Sequence, residues 1–150
     1  MAASLAAVPA AAYQQPATAI AEPGSVAEAL NAFVVSFRSL DKEAFSDLFA
    51  TDATVFFPQK PFPLHRISGR AAVTGWFGKL FDARRGEPLQ IDPQDVQIQQ
   101  FGDSAIATFH LGKTEKGLGR RTLVFQRRDG VWKIAHLHAS SIVVAEGERG

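Results

Sequence analysis

The chain predicts an α+β fold, with helices packed on one face of an antiparallel sheet. Three observations carry this prediction. Apolar residues recur at helical spacing early in the chain and alternate with polar ones late in it. The late segments are joined by hairpin-length connections, of which Asp129-Gly130 is the clearest. Helices come first and most strands last, which argues against repeating βαβ units.

Ser25 is placed to cap a first helix, with Glu28 three residues on to complete a capping box. Val26, Leu30, Phe33, Val34 and Phe37 follow at helical spacing. A second helix is expected after Asp41, running to Phe49 with Phe45, Leu48 and Phe49 as its apolar stripe. Thr51-Asp52 interrupts the pattern, and residues 53–57 read as a strand stopped by Pro58. Residues 58–68 hold three prolines and read as a stiff irregular loop. Ser68-Gly69-Arg70 leads into a third helix with Val73, Trp76, Phe77, Leu80 and Phe81 on one side, ended by Gly86 and Pro88. Strands are expected at residues 95–99, 104–111 and 121–127, the last preceded by a loop containing Gly117. The final strand runs from Val131 to about Val144.

The 150 residues are enough for one domain with a real core. Residues 1–24 differ from the rest: they are rich in alanine, proline and glutamine, and Glu22 is their only charge. They read as a disordered leader, with residues 25–144 as the domain and 145–150 as a flexible tail. No Lys or Arg precedes Arg38, so the basic start of an export signal is missing. A cytoplasmic location is favoured, with export or a periplasmic location left open for a truncated signal. Sixteen basic residues balance fifteen acidic ones, a net charge of +1 that gives no footprint for nucleic acid or an anionic membrane. Cysteine is absent, which excludes disulfides, thiolate nucleophiles and Cys-ligated metal. Twelve phenylalanines point to a broad apolar interior.

Three passages carry a family resemblance. Residues 40–54, from Leu40-Asp41-Lys42-Glu43-Ala44-Phe45 to Asp52-Ala53-Thr54, resemble the second-helix-to-first-strand passage of SnoaL-like proteins of the NTF2-like superfamily. Ser68-Gly69-Arg70-Ala71-Ala72-Val73 resembles the start of their third helix. Residues 127–140, containing Asp129-Gly130-Val131-Trp132 and His136-Leu137-His138, resemble their closing hairpin. That hairpin is also similar to one in the association domain of calmodulin-dependent kinase II. The resemblance implies a cystatin-like α+β cone of three N-terminal helices on a curved antiparallel or mixed sheet, enclosing a pocket. It also implies a homodimer through the open sheet face, which here would carry Ala135, Leu137 and Ala139. It does not choose an activity, because the fold hosts isomerases, dehydratases, cyclases, binding domains and oligomerisation modules.

Strand alternation puts Trp132, Ile134, His136, His138 and Ser140 on one face, assigned here to the pocket, unless a β-bulge moves part of the set. His136 and His138 are then candidates for general acid or base. The structural alternative is that both are hydrogen-bonded residues orienting the sheet or a subunit contact. Arg121 shares a face with Leu123 and Phe125 and is the candidate anion-stabilising group; a solvated pair with Arg120 is the plain alternative. Phe57, Trp76, Phe77, His110 and Phe125 are candidate substrate-binding residues, with core packing the competing role for the aromatics. No metal is expected: His110, His136 and His138 lack a plainly placed carboxylate ligand. No cofactor fingerprint is present in the sequence. The only tyrosine is Tyr13, so the tyrosine-dependent chemistry of steroid isomerases has no donor in the folded part.

The leading expectation is a domain that binds a small, mostly apolar molecule. Whether it is an enzyme is left open; catalysis would be cofactor-free isomerisation, dehydration or cyclisation, with His138 or His136 as acid or base and Arg121 on the developing anion. The alternative is a non-catalytic oligomerisation or binding module.

Overall fold

A computed structural model describes residues 21–58, 62–114 and 117–143. Most of the expected leader, residues 1–20, and the expected tail lie outside these residues. Three helices and six strands follow in the order α1 (Val26–Ser39), α2 (Lys42–Asp47), β1 (Phe49–Phe56), β2 (Ile67–Ser68), α3 (Arg70–Ala83), β3 (Gln94–Phe101), β4 (Ser104–Thr114), β5 (Gly117–Arg128) and β6 (Val131–Val143). The strands form one sheet ordered β2-β1-β6-β5-β4-β3. Only β1 and β6 run parallel, so the sheet is mixed. No described helix is long and apolar enough to cross a membrane.

Local chemistry sets the helix ends. Ser25 Oγ accepts the Glu28 N–H at 3.1 Å, and the Glu28 carboxylate reaches back to the Gly24 N–H at 2.5 Å. The first bond satisfies a donor that the first helical turn would otherwise leave orphaned, and the second ties the residue before the cap to the helix. Asp41 caps α2 in the same way, its Oδ1 accepting from Ala44 N–H at 3.0 Å. α2 ends at Asp47, two residues before the expected end, because Phe49 is taken by β1. The β5–β6 turn is built as expected: Asp129 and Gly130 both hold positive φ, 52° and 76°, matching the right-handed twist of the strands.

The helices cover one face of the sheet, and the core lies between. Phe45 is 1% exposed and sits among the rings of Phe33, Phe37, Phe49, Phe77 and Phe81, with centroids 4.8–5.4 Å away. The three helices and β1 each contribute a ring, so this cluster joins the helical layer to the sheet. Beneath it, Val55, Ala105, Ala107, Leu123, Phe125, Ile134 and Leu137 are buried on the helix-side face. Each large apolar side chain buried there contributes roughly 1.5–3 kcal/mol.

Four expectations need correction. β1 starts at Phe49 and runs through Thr51-Asp52. The expected interruption survives as a register shift between Phe49 and Thr54, where exposed Asp52 is bonded to Arg128 at 2.8 Å. The proline-rich segment 58–68 ends in a short strand, β2, because Ile67 is buried against β1. Gly117 opens β5 instead of lying in a loop.

The fourth correction concerns the closing strand. On β6, Trp132, Ile134, Leu137 and Ala139 are buried, whereas His136 is half-buried and His138 exposed. Phe125 pairs with Ile134 but Val124 pairs with His136, so Ala135 is an extra residue in the ladder. This β-bulge shifts the alternation by one. Trp132 and Ile134 stay on the helix side, while His136, His138 and Ser140 turn to the open face. Leu137 and Ala139, expected on the open face, are core residues.

Candidate functional site

The register assigns every candidate to a face. Ala139 pairs with Arg121, and Arg121 with Phe109. Ala139 and Phe109 are buried, so this row lies on the helix side, next to the row Leu137, Leu123 and Ala107. Phe57 follows Phe56, the partner of His138, and so stands level with Ala139. Its ring packs against the core, edge-on to Phe77 at 5.3 Å. Across the sheet the row thus reads Phe57, Ala139, Arg121, Phe109: one guanidinium in an otherwise apolar line.

Arg121 is held flat against the sheet. Its Nη1 donates to the carbonyls of Arg120 at 2.8 Å and Ser140 at 3.1 Å. Gly119 provides the room: a Cβ there would come 2.9 Å from the Leu111 carbonyl oxygen and 3.3 Å from Arg121 Nη1. Burial pulls the Arg121 pKa below the ordinary guanidinium value. An arginine nevertheless keeps its charge in a protein. Among the described residues no carboxylate lies within ion-pair distance of it. A charge withdrawn from water with no counter-ion is costly, and an incoming anion would relieve that cost.

An aromatic wall extends from the Phe57 end of the row. Phe57 stacks on Phe62 at 4.3 Å, and Phe62 meets Trp76 at 6.2 Å. Lys79 Nζ lies over the Trp76 ring at 4.2 Å. Trp76 is half-buried and Phe77 is 6% exposed. Phe125 is 1% exposed, in the core between Ile134 and Ala105.

The histidines occupy the other face. His136 Nδ1 is 2.7 Å from Thr54 Oγ1. Phe56 lies 5.8 Å from both the His136 and the His138 rings. Burial is the main force lowering the His136 pKa; the adjacent His138 and Arg66 add to it, and a backbone hydrogen bond at Thr54 opposes it. His110 also faces outward, opposite Arg120, with Nδ1 3.7 Å from Asp95. Arg121 and the three histidines therefore belong to opposite faces and do not form one site. Among the described residues no group of three His, Cys, Asp or Glu side chains is arranged to hold a metal ion.

Residues 26–145 match the model of the SnoaL-like domain. The chain belongs to the SnoaL-like domain family. Solved structures agree on its fold. A proposed dehydratase of the NTF2-like family from Streptomyces avermitilis is similar at 25% identity and a TM-score of 0.66, covering 79% of this chain and 94% of that one. An NTF2-like protein of unknown function from Pseudomonas putida is 20% identical with a TM-score of 0.69, covering 83% and 89%. A proposed calcium/calmodulin-dependent protein kinase type II association domain from Thiobacillus denitrificans is 21% identical with a TM-score of 0.61, covering 79% and 95%. No curated protein matches the chain.

Within this SnoaL-like domain the structure brings together Arg121, Phe57 and Phe77 on the helix side, with Trp76 reached through Phe62. It separates them from His110, His136 and His138. Sequence reasoning missed Phe62, whose signal was an aromatic residue between prolines, and the Asp95 partner of His110. It also missed Thr54, because a threonine in a strand has no signal until its cross-strand partner is known.

Proposed function

We propose that this SnoaL-like domain binds a small, mostly apolar molecule that carries an anionic oxygen group, on the helix side of the sheet. Arg121 is the anchor for the anion; Phe57, Phe62, Trp76 and Phe77 supply the apolar wall. The observation carrying this reading is the half-buried guanidinium of Arg121 in an apolar row, with no carboxylate partner among the described residues. Among the described residues its Nη2 and Nε donors make no hydrogen bond, which leaves them to a ligand oxygen. The likeness to a proposed dehydratase is compatible with a ligand site in this region. Catalysis in that site would need a proton carrier, and His136 and His138, the expected acid–base pair, face the other way. The reading is therefore binding, with Arg121 orienting and polarising the ligand.

The test uses anilinonaphthalene sulfonate, an apolar anion, and its uncharged relative phenylnaphthylamine. Arg121→Gln should weaken sulfonate binding about tenfold or more, the loss of one charge-assisted hydrogen bond. The uncharged probe should bind both proteins alike. Equal sulfonate affinity in the two proteins would remove Arg121 from the site.

A second reading is favoured by one observation. Phe56 is 38% exposed on the open face, and Val124 and Ile106 are half-buried on the same face, in the adjoining row beyond His136. Two copies could cover these side chains by packing face to face as a homodimer. Val124→Arg should then give a monomer in sedimentation; a wild type that is already monomeric ends this reading.

A further inference from the structure

We infer that the open face of the sheet carries an oxyanion site formed by Arg66, His136 and His138. The pairing places these residues side by side. Val55 pairs with Ile67, so Arg66 stands beside Phe56; Phe56 pairs with His138, and His138 with Thr122. The next row reads Ser68, Thr54, His136 and Val124. Ile67 is buried on the helix side, so Arg66 and Ser68 on either side of it turn to the open face. The Phe56 ring is a shared floor, 5.8 Å from each imidazole centroid.

The chemistry of the cluster selects an anion. Arg66 is a permanent cation, and His138 is exposed. Thr54 holds His136 by Nδ1, which leaves Nε2 to meet a ligand. Among the described residues the other charged or titratable groups of this face are Arg120, Lys133 and the pairs Asp52–Arg128 and His110–Asp95. Asp95 is engaged by His110 at 3.7 Å. Among the described residues no carboxylate pairs with Arg66, His136 or His138. Burial first, and the nearby Arg66 guanidinium with it, disfavour a charge on His136 and lower its pKa. A phosphate or carboxylate group set among the three reverses that balance, since an adjacent opposite charge favours the protonated imidazole. Binding of an anion of fixed charge, such as a carboxylate, therefore takes up a proton at His136 and strengthens as pH falls toward the lowered His136 pKa. The two imidazoles and the guanidinium supply donors suited to oxyanions, and Thr122 adds a hydroxyl beside His138. This site is on the opposite face from Arg121 and stands independently of the function proposed above.

The experiment is an NMR titration of the histidine imidazoles with inorganic phosphate, at constant ionic strength maintained with chloride. His136 and His138 resonances should move together and saturate with one affinity, and the His136 pKa should rise in phosphate. Arg66→Gln should weaken this affinity about tenfold, and His138→Gln should weaken it too, whereas Arg121→Gln should leave it unchanged. A parallel titration with acetate separates the sources: saturation by both marks a general oxyanion site, and saturation by phosphate alone a phosphate site. The inference is overturned if phosphate moves the resonances no more than chloride does, or if Arg66→Gln binds as the wild type does. It is equally overturned if the resonances respond to protein concentration and not to phosphate, since a second copy then covers the face.

Discussion

Ile134 and His136 stand two residues apart on β6, yet their side chains leave opposite faces of the sheet. Ile134 pairs with Phe125 under the helices, and His136 pairs with Val124 on the open face. The extra residue between them, Ala135, produces the reversal. A strand without the bulge would keep the two on one face. It would place either the histidines in the core or Trp132 and Ile134 in solvent. The bulge lets Trp132, Ile134, Leu137 and Ala139 all be buried while keeping both imidazoles outside.

The first prediction follows from this split. Leu137 is 2% exposed and pairs with buried Leu123, so Leu137→Arg puts a charge into the core. The expected loss is about 4 kcal/mol or more, read by urea denaturation. His138→Arg, one residue away but exposed, should cost less than about 0.5 kcal/mol. Similar losses for the two variants would contradict the assignment of faces.

Stability should depend on pH through His136. Its pKa in the folded protein is lowered, chiefly by burial, from an unfolded value near about 6.5. Above that value both states are neutral and the full stability is present. As pH falls below it the unfolded chain takes up a proton that the folded protein resists, so stability is lost until the folded pKa is passed. His136→Gln should show a shallower decline in urea midpoint between about pH 7 and pH 5. A difference between wild type and variant that stays constant with pH would contradict the lowered pKa.

Gly119→Ala tests the seat of Arg121. The added methyl meets the Leu111 carbonyl oxygen at 2.9 Å and Arg121 Nη1 at 3.3 Å, so backbone or guanidinium must shift. The expected cost is about 1–3 kcal/mol. Sulfonate-probe affinity should fall while affinity for the uncharged probe is kept. Unchanged stability and affinity would mean that Gly119 does not define the arginine's position.

Phe45→Ala tests the aromatic cluster that fixes the helices to β1. Removing a ring that touches five others should cost about 3–5 kcal/mol in thermal or urea unfolding. A loss below about 1 kcal/mol would show that the helical layer is held by other contacts.

Much of this fold is legible in the sequence because its signals are local. Ser25 and Asp41 cap the helices expected of them, and Asp129-Gly130 makes the expected turn. β2 escapes notice because two residues carry no periodicity; Ile67 is a strand residue only through its pairing with Val55. The site is less legible because orientation is set by register. The bulge does leave a trace: the apolar positions step from 132 and 134 to 137 and 139, a change of phase at Ala135. Alternation alone hides it, since Ala135 and Ala139 are equally compatible with either face. Arg121 is legible as a helix-side residue by its spacing from Leu123 and Phe125. That no carboxylate among the described residues pairs with it appears only once the surrounding elements are in place.

The most direct test of the binding site is a crystal structure of the protein with anilinonaphthalene sulfonate. The sulfonate is predicted within hydrogen-bond distance of the Arg121 guanidinium, with the naphthalene ring against Phe57, Phe62 or Trp76. A probe seated elsewhere, with Arg121 still bonded only to the carbonyls of Arg120 and Ser140, would contradict the account.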